Sequence, residues 1–318
     1  MRTLIAACLL AVSTCALAQA FPSRPVRFIS PFPPGGAVDI ITRITATGLQ
    51  EALGQPVVVE NRSGAGGTVG ADAAARAPAD GYTLFSGGIA THGIAPALYS
   101  KLGYDAVRDF SPLSMIGTTP NVLIVNPSVQ ARSVGEFIAL AKAAQRKLDY
   151  GSPGIGTSPQ LSMELFKLMS GIELVHIPYK GNAPAIADLL GGQLPVMFDN
   201  LPGAMGHIKA GRVRVLGVSS VVRHPSLPDV PTIAESGLPG FEVVVWYAVF
   251  AAGTPPPQVL ASLTAAANRA VSSPEVKKKL SDAGVDPGAS SPDDLAMRVR
   301  TEMAKWAKVV KDAGLPVQ

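Results

Sequence analysis

The chain has 318 residues, 47% of them apolar and 16% charged, with 27 Lys and Arg against 23 Asp and Glu for a net charge of +4. So mild a balance, spread along the chain, leaves no electrostatic footprint for nucleic acid, and the length exceeds one comfortable core and favours two lobes. Both cysteines, Cys8 and Cys15, fall in the first twenty residues, so the rest of the chain has no thiol for disulfide or thiolate chemistry.

Residues 1–20 read as an export signal. Arg2 supplies the positive start, 4–17 is a short apolar run, and Ala18-Gln19-Ala20 is a small-x-small cleavage site. Cleavage before Phe21 sends the mature chain to the periplasm with a net charge of +3. Cys15 offers a lipoprotein alternative, against which Thr14 is a poor residue before a lipidated cysteine. No later run of eighteen apolar residues predicts a membrane span.

After the signal, β-branched runs alternate with helical ones, the pattern of α/β layers. Residues 26–30 read as a strand, followed by the loop 33–36 and a helix over 38–53. A strand at 57–60 leads into the glycines of 64–67 and an alanine-rich helix to Ala77. The strand at 83–86 is followed by a loop with Ala90, Thr91 and His92, then a short helix at 96–99. Residues 115–125 read as one long extended segment. Ser133 with Glu136 three residues on forms a capping box. A strand at 148–151 runs into Gly151-Ser152-Pro153-Gly154-Ile155-Gly156-Thr157-Ser158, and 160–169 is helical. Further strands fall at 174–177, 196–198, 213–219 and 243–251. Helices fill much of 256–315, broken by Pro274, Gly284 and Pro292, and Lys277-Lys278-Lys279 is a solvated helix face.

The stretches 115–125 and 243–251 are expected to join the lobes as two crossing strands. Residues 21–120 and 246–318 then form lobe I, and 121–245 form an inserted lobe II that closes about the hinge. Three strand–glycine–helix turns point to an anion, because a helix start exposes N–H groups and carries partial positive charge. They are Phe32-Pro33-Pro34-Gly35-Gly36, Ser63-Gly64-Ala65-Gly66-Gly67 and the loop 151–158.

Asp39, in the first turn of a helix, reads as a dipole partner first and a ligand contact second. Asp199 ends an apolar strand and is open to either role. His92, His176, His207 and His224 have no metal-ligand spacing. Arg62 and Lys180 flank the loops as surface charges. No G-x-S-x-G elbow, Walker loop or paired carboxylates appear, and Gly64–Gly70 only approximates a dinucleotide fingerprint, so neither enzyme chemistry nor a cofactor is expected.

Five motifs in order, PFPPGGAVD at 31–39, ENRSGAGG at 60–67, HIPYKG at 176–181, MFDN at 197–200 and LPDVPT at 227–232, resemble those of the tripartite tricarboxylate transporter substrate-binding proteins, the Bug-type (TctC-like) receptors. The resemblance implies a two-lobed, type II-like periplasmic-binding-protein fold, each lobe a mainly parallel sheet flanked by helices. It implies a monomer that closes on a small mono- or dicarboxylate and delivers it to the permease subunits of such a transporter, or passes its closed form to a membrane sensor. Carried over residue by residue, Phe32, Pro33, Gly35 and Gly36 form one wall, and Ala65, Gly66, Gly67 and Thr68 a second. Ser86, Ala90, Thr91 and His92 lie near the mouth. Ser152, Gly156, Thr157 and Ser158 face them from lobe II, with Asp199 and Asn200 at its floor. Gln160 stands where the family often has His, shifting the chemistry there toward neutral hydrogen bonding.

Overall fold

The computed structural model describes residues 21–312, 314, 315, 317 and 318; the expected signal segment, with Cys8 and Cys15, lies outside them. Strands β1 (Val26–Ser30), β2 (Val57–Asn61) and β3 (Thr83–Gly88) pair in parallel in the order β2-β1-β3. Phe28, Ile29, Leu84 and Phe85 are fully buried, as expected of strands covered on both faces. The intervening helices are α1 (Ala37–Leu53) and α2 (Thr68–Ala75). Gly54 ends α1 in the left-handed region at φ 65°, its N–H bonded to Gln50 O, a conformation glycine adopts without a Cβ penalty.

A π turn (Ile89–Ile94) and the short α3 (Ala95–Leu98) follow β3 and lead to β4 (Phe110–Val125). Then come α4 (Val134–Ala143), β5 (Leu148–Ser152), α5 (Ser158–Ser170), β6 (Leu174–Pro178), α6 (Asn182–Leu190), β7 (Val196–Asn200), α7 (Leu201–Lys209) and β8 (Arg214–Val218). The last part holds β9 (Val244–Ala252), α8 (Pro257–Ser272), α9 (Pro274–Asp282), β10 (Asp286–Pro287) and α10 (Pro292–Asp312). Ser133 caps α4 as its sequence predicts, accepting from Glu136 N–H, while Glu136 reaches back to Arg132 N–H.

Two sheets share β4. Its first part, to Pro120, lies antiparallel to β9, which also pairs antiparallel with β3. From Asn121 it pairs with β7 on one side and β8 on the other, and β7, β5 and β6 continue in parallel. Each sheet therefore keeps three parallel strands and gains antiparallel ones around β4. The segment 115–125 does join the lobes. The second expected connector does not: β9 is held on both edges within the first sheet, and the chain returns through 219–243. Ser219 fastens this return. It exchanges backbone bonds with Asn121 and Val243, and its buried hydroxyl accepts from Asn121 N–H and donates to Val243 O.

On the first lobe α1 meets α8 and α9 through Gly48. A Cβ there would sit 2.8 Å from Val276 Cγ2 and 3.1 Å from Ala270 Cα. Gly48→Leu is expected to lower stability by about 1–3 kcal/mol through overpacking, read as a fall in the urea midpoint at unchanged slope. An unchanged midpoint would contradict this packing.

Candidate functional site

Four helices begin at one place. α1 starts after Gly36, α5 after Thr157, α6 after Gly181 and α7 after Asn200, and no side chain caps any of these starts. All four starts line one cavity between the lobes. The C-terminal end of β3 from Ser86 and Val245 to Tyr247 of β9 complete its walls. Among the described residues lining it there is no Lys, Arg or His, and Asp199 is the single charged side chain. The available attraction for an anion is the uncapped starts and the dipoles of these helices.

The first glycine turn is braced from behind. Asp39 accepts from Gly35 N–H, from Arg43 and from Asn61 Nδ2, which also donates to Phe32 O. Burial alone would raise the Asp39 pKa, but the hydrogen bonds from Arg43, Asn61 and Gly35 and the Arg43 charge hold it below the usual carboxylate range. Asp39 is thus a structural anchor of the loop. Ser86 has its hydroxyl on Thr42 Oγ1, tying β3 to α1.

Of the residues singled out from sequence, Phe32, Pro33, Gly36, Ser86, Ala90, Thr91, Thr157, Ser158, Asp199 and Asn200 line the cavity. Asn200 joins the floor to α5, donating to Ser158 Oγ and to Asn121 Oδ1. The other eight do not line it. Gly35 is turned outward, at φ 82°, with its N–H on Asp39. Ser152 is buried behind the wall, its hydroxyl on His176 Nε2 at 2.6 Å. Gly156 donates to Gln160 Oε1, so Gln160 shapes the third loop and lies outside the lining.

His92 is the clearest correction. Its ring is fully buried, stacked on Phe250 at 4.1 Å and edge-on to Phe110, and burial holds its pKa at about 3. It is a neutral core residue, because the π turn puts it among the aromatics of the first sheet rather than at the mouth.

Ala65, Gly66, Gly67 and Thr68 also stand back from the cavity, at the seam between the lobes. A Cβ on Gly66 would lie 2.6 Å from Ile155 O, and one on Gly67 would lie 3.0 Å from Thr91 and 3.2 Å from the Phe32 ring. Ala65 is exposed at φ 43°, and Thr68 bonds back to Ala65 O. Tyr99 Oη donates to Ile155 O at 3.3 Å across the same seam. On the opposite side Pro33 closes on Gly181, whose Cβ would be 2.8 Å from Pro33 Cγ. The second and third glycine loops therefore meet face to face.

Sequence reasoning missed Gly181, Asn182, Trp246 and Tyr247, all in the lining. The first two carried a usable signal, since Lys180-Gly181-Asn182 is a fourth strand–glycine–helix turn. Trp246 and Tyr247 carried none, lying inside an uninterrupted apolar strand.

Two mixed α/β lobes with a cavity that both of them line are the architecture of periplasmic binding proteins. The chain matches the tripartite tricarboxylate transporter family receptor over residues 41–315, and it belongs to that family. A UPF0065 protein in the tcbD-tcbE intergenic region of Pseudomonas sp. (strain P51) is 41% identical over 295 residues, covering 92% of this chain and 87% of the relative. R. palustris Rpa4515, solved with adipate, is 39% identical with a TM-score of 0.89, covering 92% of this chain and 98% of that one. MatC from Rhodopseudomonas palustris, with bound malate, is 33% identical with a TM-score of 0.86, covering 91% and 100%.

The Asp39 anchor makes a pH-dependent prediction. Its lowered pKa contributes stability that is present above the ordinary carboxylate value and lost as pH falls through the folded one. Asp39→Ala is expected to cost about 2–4 kcal/mol at pH 7, since it strands the Gly35 and Asn61 donors. In urea titrations that penalty should shrink as pH drops below about 4; a penalty independent of pH would contradict the assignment.

Proposed function

We propose that the mature chain, cleaved before Phe21, is a monomeric periplasmic receptor that closes on a small mono- or dicarboxylate and delivers it to the permease subunits of a tripartite tricarboxylate-type transporter. The observation that carries this reading is the convergence of four uncapped helix starts on a cavity whose described lining contains no basic side chain. Fixed dipoles hold an anion at little reorganisation cost, and they act most strongly where water is excluded. The adipate and malate held by the two structural relatives belong to the same ligand class.

In this reading the open form binds first. The helix starts of both lobes then engage the ligand, and the closed form is stabilised by it. The change of β4 partners between Pro120 and Asn121 supports a lobe boundary there, with 121–245 as the inserted lobe between 21–120 and 246–318. Phe32, Gly36, Thr91, Thr157, Ser158 and Asn200 meet the ligand directly. Ala65 to Thr68 with Gly156 form the seal over it.

The test is thermal unfolding and calorimetry of ligand-stripped mature protein with aliphatic mono- and dicarboxylates, each beside its neutral amide. An acid at about 100 times its Kd adds about 2.7 kcal/mol and should raise the midpoint by roughly 5–10 °C, with no effect from the amide. Equal shifts from acid and amide, or none from any acid, would overturn the reading. Gly66→Val is expected to weaken acid binding at least tenfold, because its side chain would meet Ile155 O and hold the lobes apart. Unchanged affinity would remove this seam from closure.

A further inference from the structure

The charge pattern inside the cavity is uneven. Two of the four helix starts, α6 and α7, already have a carboxylate between them. Asp199, 2% exposed, accepts from Asn182 Nδ2 at 3.0 Å in the first turn of α6 and from Asn200 N–H at 2.8 Å at the start of α7. At Gly203, also in the first turn of α7, a Cβ would lie 3.2 Å and 3.4 Å from the two carboxylate oxygens. No cation faces it. Val122 opposes it from β4, and the titratable group acting nearby is the Tyr247 hydroxyl from β9. Burial pushes Asp199 up to about 7, while the bonds from Asn182 and Asn200 pull toward the ionised form.

Unmet hydrogen-bonding capacity lines the same cavity. Tyr247 Oη and Asn182 Oδ1, both in residues of the cavity lining, are buried without a partner. Burial, and then the Asp199 charge, raise the Tyr247 pKa, so its hydroxyl keeps its proton. Asp199 and Asn182 Oδ1 thus ask for a hydrogen-bond donor, and the Tyr247 O–H asks for an acceptor. An alcohol satisfies both requirements at one atom. A ligand carboxylate set against Asp199 would meet like charge in a dry site, so it belongs at the α1 and α5 starts instead.

We propose that Asp199 and Tyr247 form a subsite for a ligand hydroxyl, making the solute a hydroxy-substituted carboxylate. The hydroxyl donates to Asp199 and accepts from Tyr247, while the carboxylate lies across the cavity on α1 and α5. This inference rests on the carboxylate-receptor reading and deepens it.

Calorimetry with two matched pairs tests it: succinate against malate, and adipate against 2-hydroxyadipate. In at least one pair the hydroxy acid should bind at least tenfold more tightly than the plain acid. Asp199→Asn and, separately, Tyr247→Phe should each shrink that ratio at least fivefold, with melting curves confirming that both variants fold. Affinity for the hydroxy acid should rise between pH 6 and pH 8 as Asp199 ionises, and Asp199→Asn should flatten that rise. Plain acids binding as tightly as their hydroxy partners, or more tightly with affinity falling as pH rises, would overturn the subsite and leave the receptor reading standing. Failure of all four acids to bind would overturn both.

Discussion

Everything about this cavity depends on four helix starts that no side chain caps. A helix start exposes several donors, and proteins commonly answer them with a Ser, Asp or Asn side chain. Here Gly36 and Gly181 have no side chain to offer, while Thr157 and Asn200 spend theirs elsewhere, Thr157 on Gly154 O and Asn200 on Ser158 and Asn121. Three of these starts come from the lobe built on β5, β6 and β7, and one from the lobe built on β1 to β3. In the proposed receptor an anion between them would complete bonds to both lobes at once, which would tie occupancy to closure.

The contact between the lobes in turn depends on what is missing at the seam. Gly66 against Ile155, and Gly181 against Pro33, are approaches too close for a Cβ. The same residues hold φ of 64° and 114°, which a side chain would also resist. Sequence alone cannot separate those two demands, because a turn glycine and a contact glycine look alike. Behind the seam the chain crosses between lobes at β4 and at the Ser219 fastening, where short hydrogen bonds join Asn121, Ser219 and Val243. That arrangement leaves few residues through which a hinge could bend.

Much of this was legible beforehand, and the failures have local causes. The alternation of strands and helices and the glycine turns at 33–36 and 151–158 follow from short-range rules, and the structure agrees with them. Asp39 read correctly as a first-turn partner, although its bonds to Gly35 and Asn61 are tertiary and had no local signal. His92 was misplaced because three-dimensional packing with Phe250 and Phe110, not loop composition, decides which way a π turn faces. The segment 243–251 was expected to cross between lobes because a long apolar strand reads the same whether it bridges two sheets or sits inside one. Tyr247 stayed hidden for that reason: a polar tip on an apolar strand shows its use only when the facing carboxylate is known.

In the proposed receptor, backbone dipoles and not basic side chains hold the ligand. A crystal structure of the mature protein with a bound carboxylate tests it most directly. Carboxylate oxygens are expected within hydrogen-bonding distance, directly or through one water, of N–H groups in the first turns of α1 and α5, with no Lys or Arg nitrogen in contact. A ligand carboxylate paired to an arginine or lysine, or lodged outside the ring of helix starts, would contradict it.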